Sequence, residues 1–178
     1  VDDRDVDSST DDRGSQNRLL HATAEVLARN GQAKLSMSDV AAQAGVSRPT
    51  LYRWFPSKAD LLGAFADYER QMFDEGIGAA TAGLRGQEGL DAALRFIVDY
   101  QHSYSGVRVI DVEPEVVITQ MSKVIPVMRS KLEKLIAGAN SSVKASAAIR
   151  IAISHYIVRS DDDAEFLAQL RHVVGIKT

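Results

Sequence analysis

The chain has no cysteine. That excludes both a disulfide framework and a thiolate metal site. No apolar run approaches the ~20 residues that a membrane-crossing helix requires, so no membrane partner is expected. The first residues are acidic and polar, unlike a secretory signal. There is no G-x-x-x-x-G-K-[ST] phosphate loop, no H-E-x-x-H and no nucleophile elbow. The four histidines, His21, His102, His155 and His172, are scattered over separate stretches, and no metal site is expected from them. Internal repeats are absent too. These gaps leave catalysis without positive support. The expectation is a cytoplasmic protein that is not an enzyme and carries no cofactor.

What is present is apolar and asymmetrically charged. The 178 residues are 45% hydrophobic, enough for a sizeable core. The net charge of −3 is unevenly spread. Asp2, Asp3, Asp5, Asp7, Asp11 and Asp12 outweigh Arg4 and Arg13 at the start. Arg18, Arg29, Lys34, Arg48, Arg53 and Lys58 then outweigh Glu25, Asp39 and Asp60 over residues 15–63. A basic stretch inside an acidic chain is the pattern of a local nucleic-acid contact.

Residues 36–58, SMSDVAAQAGVSRPTLYRWFPSK, read as two short helices joined by a tight turn, with a third beginning. Ser36, with Asp39 three residues on, predicts a capped helix over 37–44. Gly45 supplies the left-handed residue that ends it. Ser47 caps the next helix, and Pro49 sits in its first turn, where a missing N–H costs nothing. Ala41, Gly45, Val46 and Leu51 have the spacing of a helix-turn-helix. Its second helix presents Arg48, Thr50, Tyr52 and Arg53, side chains suited to bases and phosphates. Arg48 can donate twice to guanine, and Thr50 can touch a thymine methyl or a phosphate. Tyr52 offers a flat contact and a hydroxyl. Arg53 and Lys58 can neutralise phosphates, Lys58 at a helix N-terminus. Ser36 and Ser38 are further phosphate donors. The expected DNA-binding set is Ser36, Ser38, Ser47, Arg48, Pro49, Thr50, Tyr52, Arg53 and Lys58, with Leu51 and Phe55 facing the core.

This segment resembles the DNA-binding domain of the TetR family of bacterial transcriptional regulators. The likeness starts at Arg18 with RLLHATAEVLARNG and runs through SDVAAQAGVSRPTLYRWFPSKADLL to about Leu62. AGVS, TLY, WF and SK at fixed spacing make it specific. One departure stands out: the family usually has an aromatic shortly after the glycine ending its first helix, whereas Gln32 and Ala33 follow Gly31 here. The resemblance implies an all-α protein with a three-helix DNA-binding head and a C-terminal helical domain for ligand binding and dimerisation. It also implies a repressor on double-stranded operator DNA, released by a small-molecule effector bound in the C-terminal domain.

The rest of the chain reads as helices. Residues 1–15 lack apolar periodicity and predict a disordered acidic tail. The head spans 16–62, and 63–178 form the second domain. A long helix reaches about Ala80, and a Gly-rich stretch over 76–89 loosens the chain after it. A helix follows from about Leu90 to Tyr104. VRVIDV is helix or turn. The helix starting at Pro114 is expected to break or kink at Pro126. Residues 141–159 are apolar almost all round, and 163–174 carry one apolar stripe. The SDDD between them reads as a turn and helix cap.

Phe96, Tyr100, Tyr104, Met121 and Met128 are the candidate effector-pocket residues. The last two helices predict a homodimer built on a four-helix bundle, with Ile149, Ile153, Tyr156, Ile157, Phe166, Leu170 and Val173 at its interface. The alternative is an effector-free DNA-binding or partner-binding helical module. An all-helical enzyme would need a convergent cluster of titratable groups around a pocket.

Overall fold

The computed structural model describes residues 5–103, 109–158 and 162–176. Among them are nine helices and no strand. These are α1 (Asp5–Lys34), α2 (Met37–Ala44), α3 (Arg48–Trp54), α4 (Lys58–Ala80), α5 (Gly86–Ser103), α6 (Val109–Val112), α7 (Pro114–Leu135), α8 (Ser141–Ile157) and α9 (Asp163–Val174). The fold is all-α, as the sequence predicts.

Two apolar clusters organise it. In the first, Leu19, Leu20, Val26 and Leu27 of α1 meet Val40, Leu51, Phe55, Leu61 and Phe65. In the second, Leu90, Leu94 and Val98 of α5 meet Leu132, Ile136, Ala148, Ile149, Phe166, Leu170 and Val174. The alanines of α8 are the reason its neighbours approach closely. Ala145, Ala148 and Ala152 are all buried. Within the chain, α8 packs against both α7 and α9.

Several local expectations change. Residues 5–15, expected as a structureless tail, continue α1 as helix. No proline interrupts the stretch, and extending a helix already anchored by its buried part avoids the nucleation cost. The break instead lies at Gly31, whose backbone (φ 74, ψ 170) leaves the helical region. α7 runs through Pro126. Pro126 is exposed, as is Ser122 one turn earlier, so the carbonyl the ring frees can turn to water. Gly76 and Gly78 lie within α4 rather than in a loose connection. At Gly76 the glycine is required by packing, since a Cβ there would collide with the Phe96 ring. Val109–Val112 of the VRVIDV segment is helical, and the rest of it lies outside the described residues. Asp162 caps α9, its carboxylate accepting from Glu165 N–H at 2.9 Å.

One ion pair ties α5 to α9. Arg171 donates to both Asp91 carboxylate oxygens, at 2.6 and 2.8 Å. Arg95 adds a third bond at 2.9 Å. The Arg171 hydrogen bond, then that from Arg95, holds the Asp91 carboxyl down at about 2, against some opposition from desolvation. A carboxyl depressed in the folded state stabilises fully above its unfolded value and loses that contribution as pH falls. The pair should therefore weaken between the ordinary 3.8 and about 2. In acid titrations followed by circular dichroism, Asp91→Asn should be less stable than the parent at neutral pH. Its stability should also fall less steeply over that window. Parallel curves would contradict this assignment.

Candidate DNA-reading face and C-terminal sites

The head is built by three serine caps. Ser36 Oγ accepts from Asp39 N–H at 3.1 Å and starts α2. Gly45 (φ 67, ψ 29) ends α2 in the left-handed region, and Val46 N–H returns to Ala41 O at 3.0 Å. Ser47 Oγ accepts from Thr50 N–H at 3.2 Å and starts α3, with Pro49 in its first turn. Ser57 starts α4 by accepting from Asp60 N–H at 3.1 Å. Each cap satisfies an N–H that the helix itself leaves unpaired.

This framework presents one face of α3. Leu51 is fully buried and Phe55 nearly so. With that side turned inward, Arg48, Pro49, Tyr52 and Arg53 are exposed on the other. Arg48 and Tyr52 lie one turn apart, as do Pro49 and Arg53. An aromatic with 44% of its surface in water is unusual on so short a helix and provides a flat contact. Thr50 and Ser38 are half-buried. The Thr50 and Ser47 hydroxyls lie 2.7 Å apart, so both are partly engaged in capping. Lys58 is half-buried, and its ammonium donates to Ala33 O at 3.3 Å. It therefore bridges the start of α4 to the end of α1 as well as adding positive charge. Trp54 packs against the head core.

Between α4 and α5, Phe96 and Tyr100 join Phe73 of α4 in an aromatic group. Their ring centroids lie 5.2–5.8 Å apart. Burial, then the nearby Glu69 charge, raises the Tyr100 hydroxyl well above its usual range, so it stays a neutral phenol. Met121 and Met128 are half-buried on one face of α7, and Met128 packs on the second core. Tyr104 lies outside the described residues. Two surface hollows have charged or polar rims. One is lined by Asp67, Arg70, Gln71, Asp74 and Glu75, the other by Arg18, His21, Ala22, Glu25, Gln43 and Ala44. Neither is lined by a candidate effector residue.

The seven expected interface residues divide. Ile149, Phe166 and Leu170 are buried in the chain's own second core. A one-sided stripe shows that α9 is covered, and here α5 and α8 cover it. Ile153, Tyr156 and Val173 remain half-buried, and Ile157 is 47% exposed. Val143 and Val158, which the sequence reading passed over, are more exposed still.

A family model described as bacterial regulatory proteins, tetR family, matches residues 19–65. Residues 19–65 are thus a domain of the TetR family. Its curated relative, the HTH-type transcriptional repressor LfrR of Mycolicibacterium smegmatis, is 39% identical over 85 residues. That match spans 47% of this chain and 41% of the relative. The fold extends further than the sequence match. A TetR-like regulator from Rhodococcus sp. RHA1 superposes with a TM-score of 0.72 at 19% identity, over 90% of this chain and 93% of that one. The fatty acid degradation regulator FadR from Bacillus halodurans gives 0.72 at 15% identity, over 90% and 95%. Two groups stand out that the spacing of motifs does not reveal. Glu113 contacts the end of α1, 80 residues away in sequence. His155 is buried and stacked on Phe166, ring centroids 3.9 Å apart.

Proposed function

We propose that the protein is a homodimeric transcriptional repressor. It binds a near-palindromic operator through α3 and is released by a small, largely apolar effector. The observation that carries this is the two-sided α3: Leu51 seats it in the head while Arg48 and Tyr52 stand free. One helix of this kind fits the major groove, with its first residues at base edges. The repressor LfrR supports the sign of regulation. Pairing of two chains is supported by the apolar surface left on α8, where Val143 is 68% and Ile157 47% exposed. The half-buried aromatic group of Phe73, Phe96 and Tyr100 supports an apolar effector.

A second reading, an effector-free module, is favoured by one observation. The two surface hollows described above are rimmed mostly by charged or polar residues and bypass the aromatic group. The two readings part on whether a small apolar ligand shifts DNA affinity. By linkage, operator DNA must then weaken ligand binding by the same factor.

The test begins with sedimentation at micromolar concentration, where a species of twice 19.4 kDa is expected. Selection from random duplexes should then enrich a two-fold symmetric sequence. Its half-sites should lie about one helical turn or more apart. A monomer, or no enriched sequence, would overturn the proposal.

A further inference from the structure

Glu113 occupies the N-cap position of α7, yet its side chain makes no capping hydrogen bond there. Its carboxylate reaches across to the head instead. It accepts the Gln32 N–H at 2.5 Å and the Ala33 N–H at 2.9 Å. Two consecutive backbone donors on one carboxylate form a charge-assisted fork.

The turn is shaped to receive it. Gly31 adopts a backbone conformation (φ 74, ψ 170) that side-chain-bearing residues rarely take. A Cβ at that position would stand 2.7 Å from Glu113 Cδ. The carboxylate thus fills the space that the missing side chain leaves. From the other side, Lys58 at the start of α4 holds the Ala33 carbonyl of the same turn. Next to Glu113, Ile110 of α6 is buried and Val109 packs on the head core. One three-residue turn is therefore gripped from the α6–α7 corner and from α4 at once. The departure from the family pattern at Gln32 and Ala33 falls in this turn. Its fixed point is a side chain from elsewhere in the chain rather than a local aromatic.

We propose that Glu113 is a positioning residue, a latch that fixes the angle of the DNA-reading head on the C-terminal helices. A shift of the α6–α7 corner must either carry the head with it or break the fork. The regulatory meaning of the latch rests on the DNA-binding reading above, but the latch itself does not.

The test needs no DNA. Because the chain lacks cysteine, two introduced ones take spin labels cleanly. Ala42→Cys on α2 and Gln169→Cys on α9 replace exposed residues. Labelled chain is diluted into unlabelled chain, so only distances within one chain are read by double electron–electron resonance. The parent should give one narrow distribution. Glu113→Ala should at least double its width, and Glu113→Asp, with an arm too short for the fork, should do the same. Glu113→Gln, which keeps one acceptor oxygen, should fall between. Amide exchange at Gln32 and Ala33 should quicken at least tenfold in Glu113→Ala, while α8 and α9 keep their protection. Unchanged widths and exchange rates in folded variants would overturn the latch and leave the repressor reading standing. Loss of operator binding by the parent would do the reverse.

Discussion

Replacing Arg48 with alanine should cost a two-headed complex ~2–6 kcal/mol of operator affinity, at ~1–3 kcal/mol per half-site. Arg48 is exposed in the first turn of α3, held outward by Leu51 behind it. The Ser47 cap fixes that turn through Thr50 N–H, so the guanidinium starts from a defined backbone. The loss should be concentrated at one base position, where discrimination between base pairs relaxes. Lys58→Ala provides the contrast. It should weaken all sequences about equally and flatten the salt dependence by about one unit of slope per head. Both can be read from fluorescence anisotropy over a salt series with operator and scrambled duplexes. An Arg48→Ala protein that binds its operator like the parent would show that α3 is not the reading helix.

Phe166→Ala should be the most damaging single truncation in the C-terminal domain, at ~3–5 kcal/mol. The ring is 2% exposed and lies almost parallel to His155, with 10° between planes. Removing it opens a cavity in the cluster that also holds Leu94, Ile149 and Leu170. For a chain of this size the loss corresponds to a melting point lower by roughly 6–20 °C. A second signature involves His155, whose pKa burial lowers below the usual 6.5, with His102 assisting. A base depressed in the folded state gives stability that is full above its unfolded pKa and falls as pH drops below it. The parent should thus lose stability as pH falls from about 6.5. The variant, with water admitted to the ring, should show a flatter profile. A melting point within 2 °C of the parent would mean that Phe166 is not the keystone its burial indicates.

The legibility of this chain depended on the range of each interaction. Ser36, Ser47 and Gly45 act on backbone within three or four residues. Their caps and turn appear in the structure where the sequence predicts them. The exposed side of α3 follows from Leu51 and Phe55 for the same reason. Phe166 and Leu170 show the reach of this reasoning. Their spacing reveals that a face is covered, but a periodic stripe carries no label for what covers it. α5 and α8 of the same chain pack on this stripe. The Gly-rich run misled in a related way. Gly76 looks like a loosening residue until the Phe96 ring, 20 residues on, is seen against it. Glu113 was invisible for the plainest reason. Beside Pro114 it reads as an ordinary helix start, and both donors that claim it lie some 80 residues earlier.

The length of α4 sets a mechanical scale. Its 23 residues, at ~1.5 Å each, make a rod of ~34 Å with the head at one end and the contact with α5 toward the other. A tilt of ~6° at the far end swings Lys58 through ~3.5 Å, close to the rise of one nucleotide along a DNA strand. Two rods related by a two-fold axis would move in opposite senses and double the mismatch. Half-site recognition would then be lost over an angular range small enough for side-chain repacking alone to supply. On that scale the proposed dimer would work as a pair of calipers whose jaws close on one spacing of the groove.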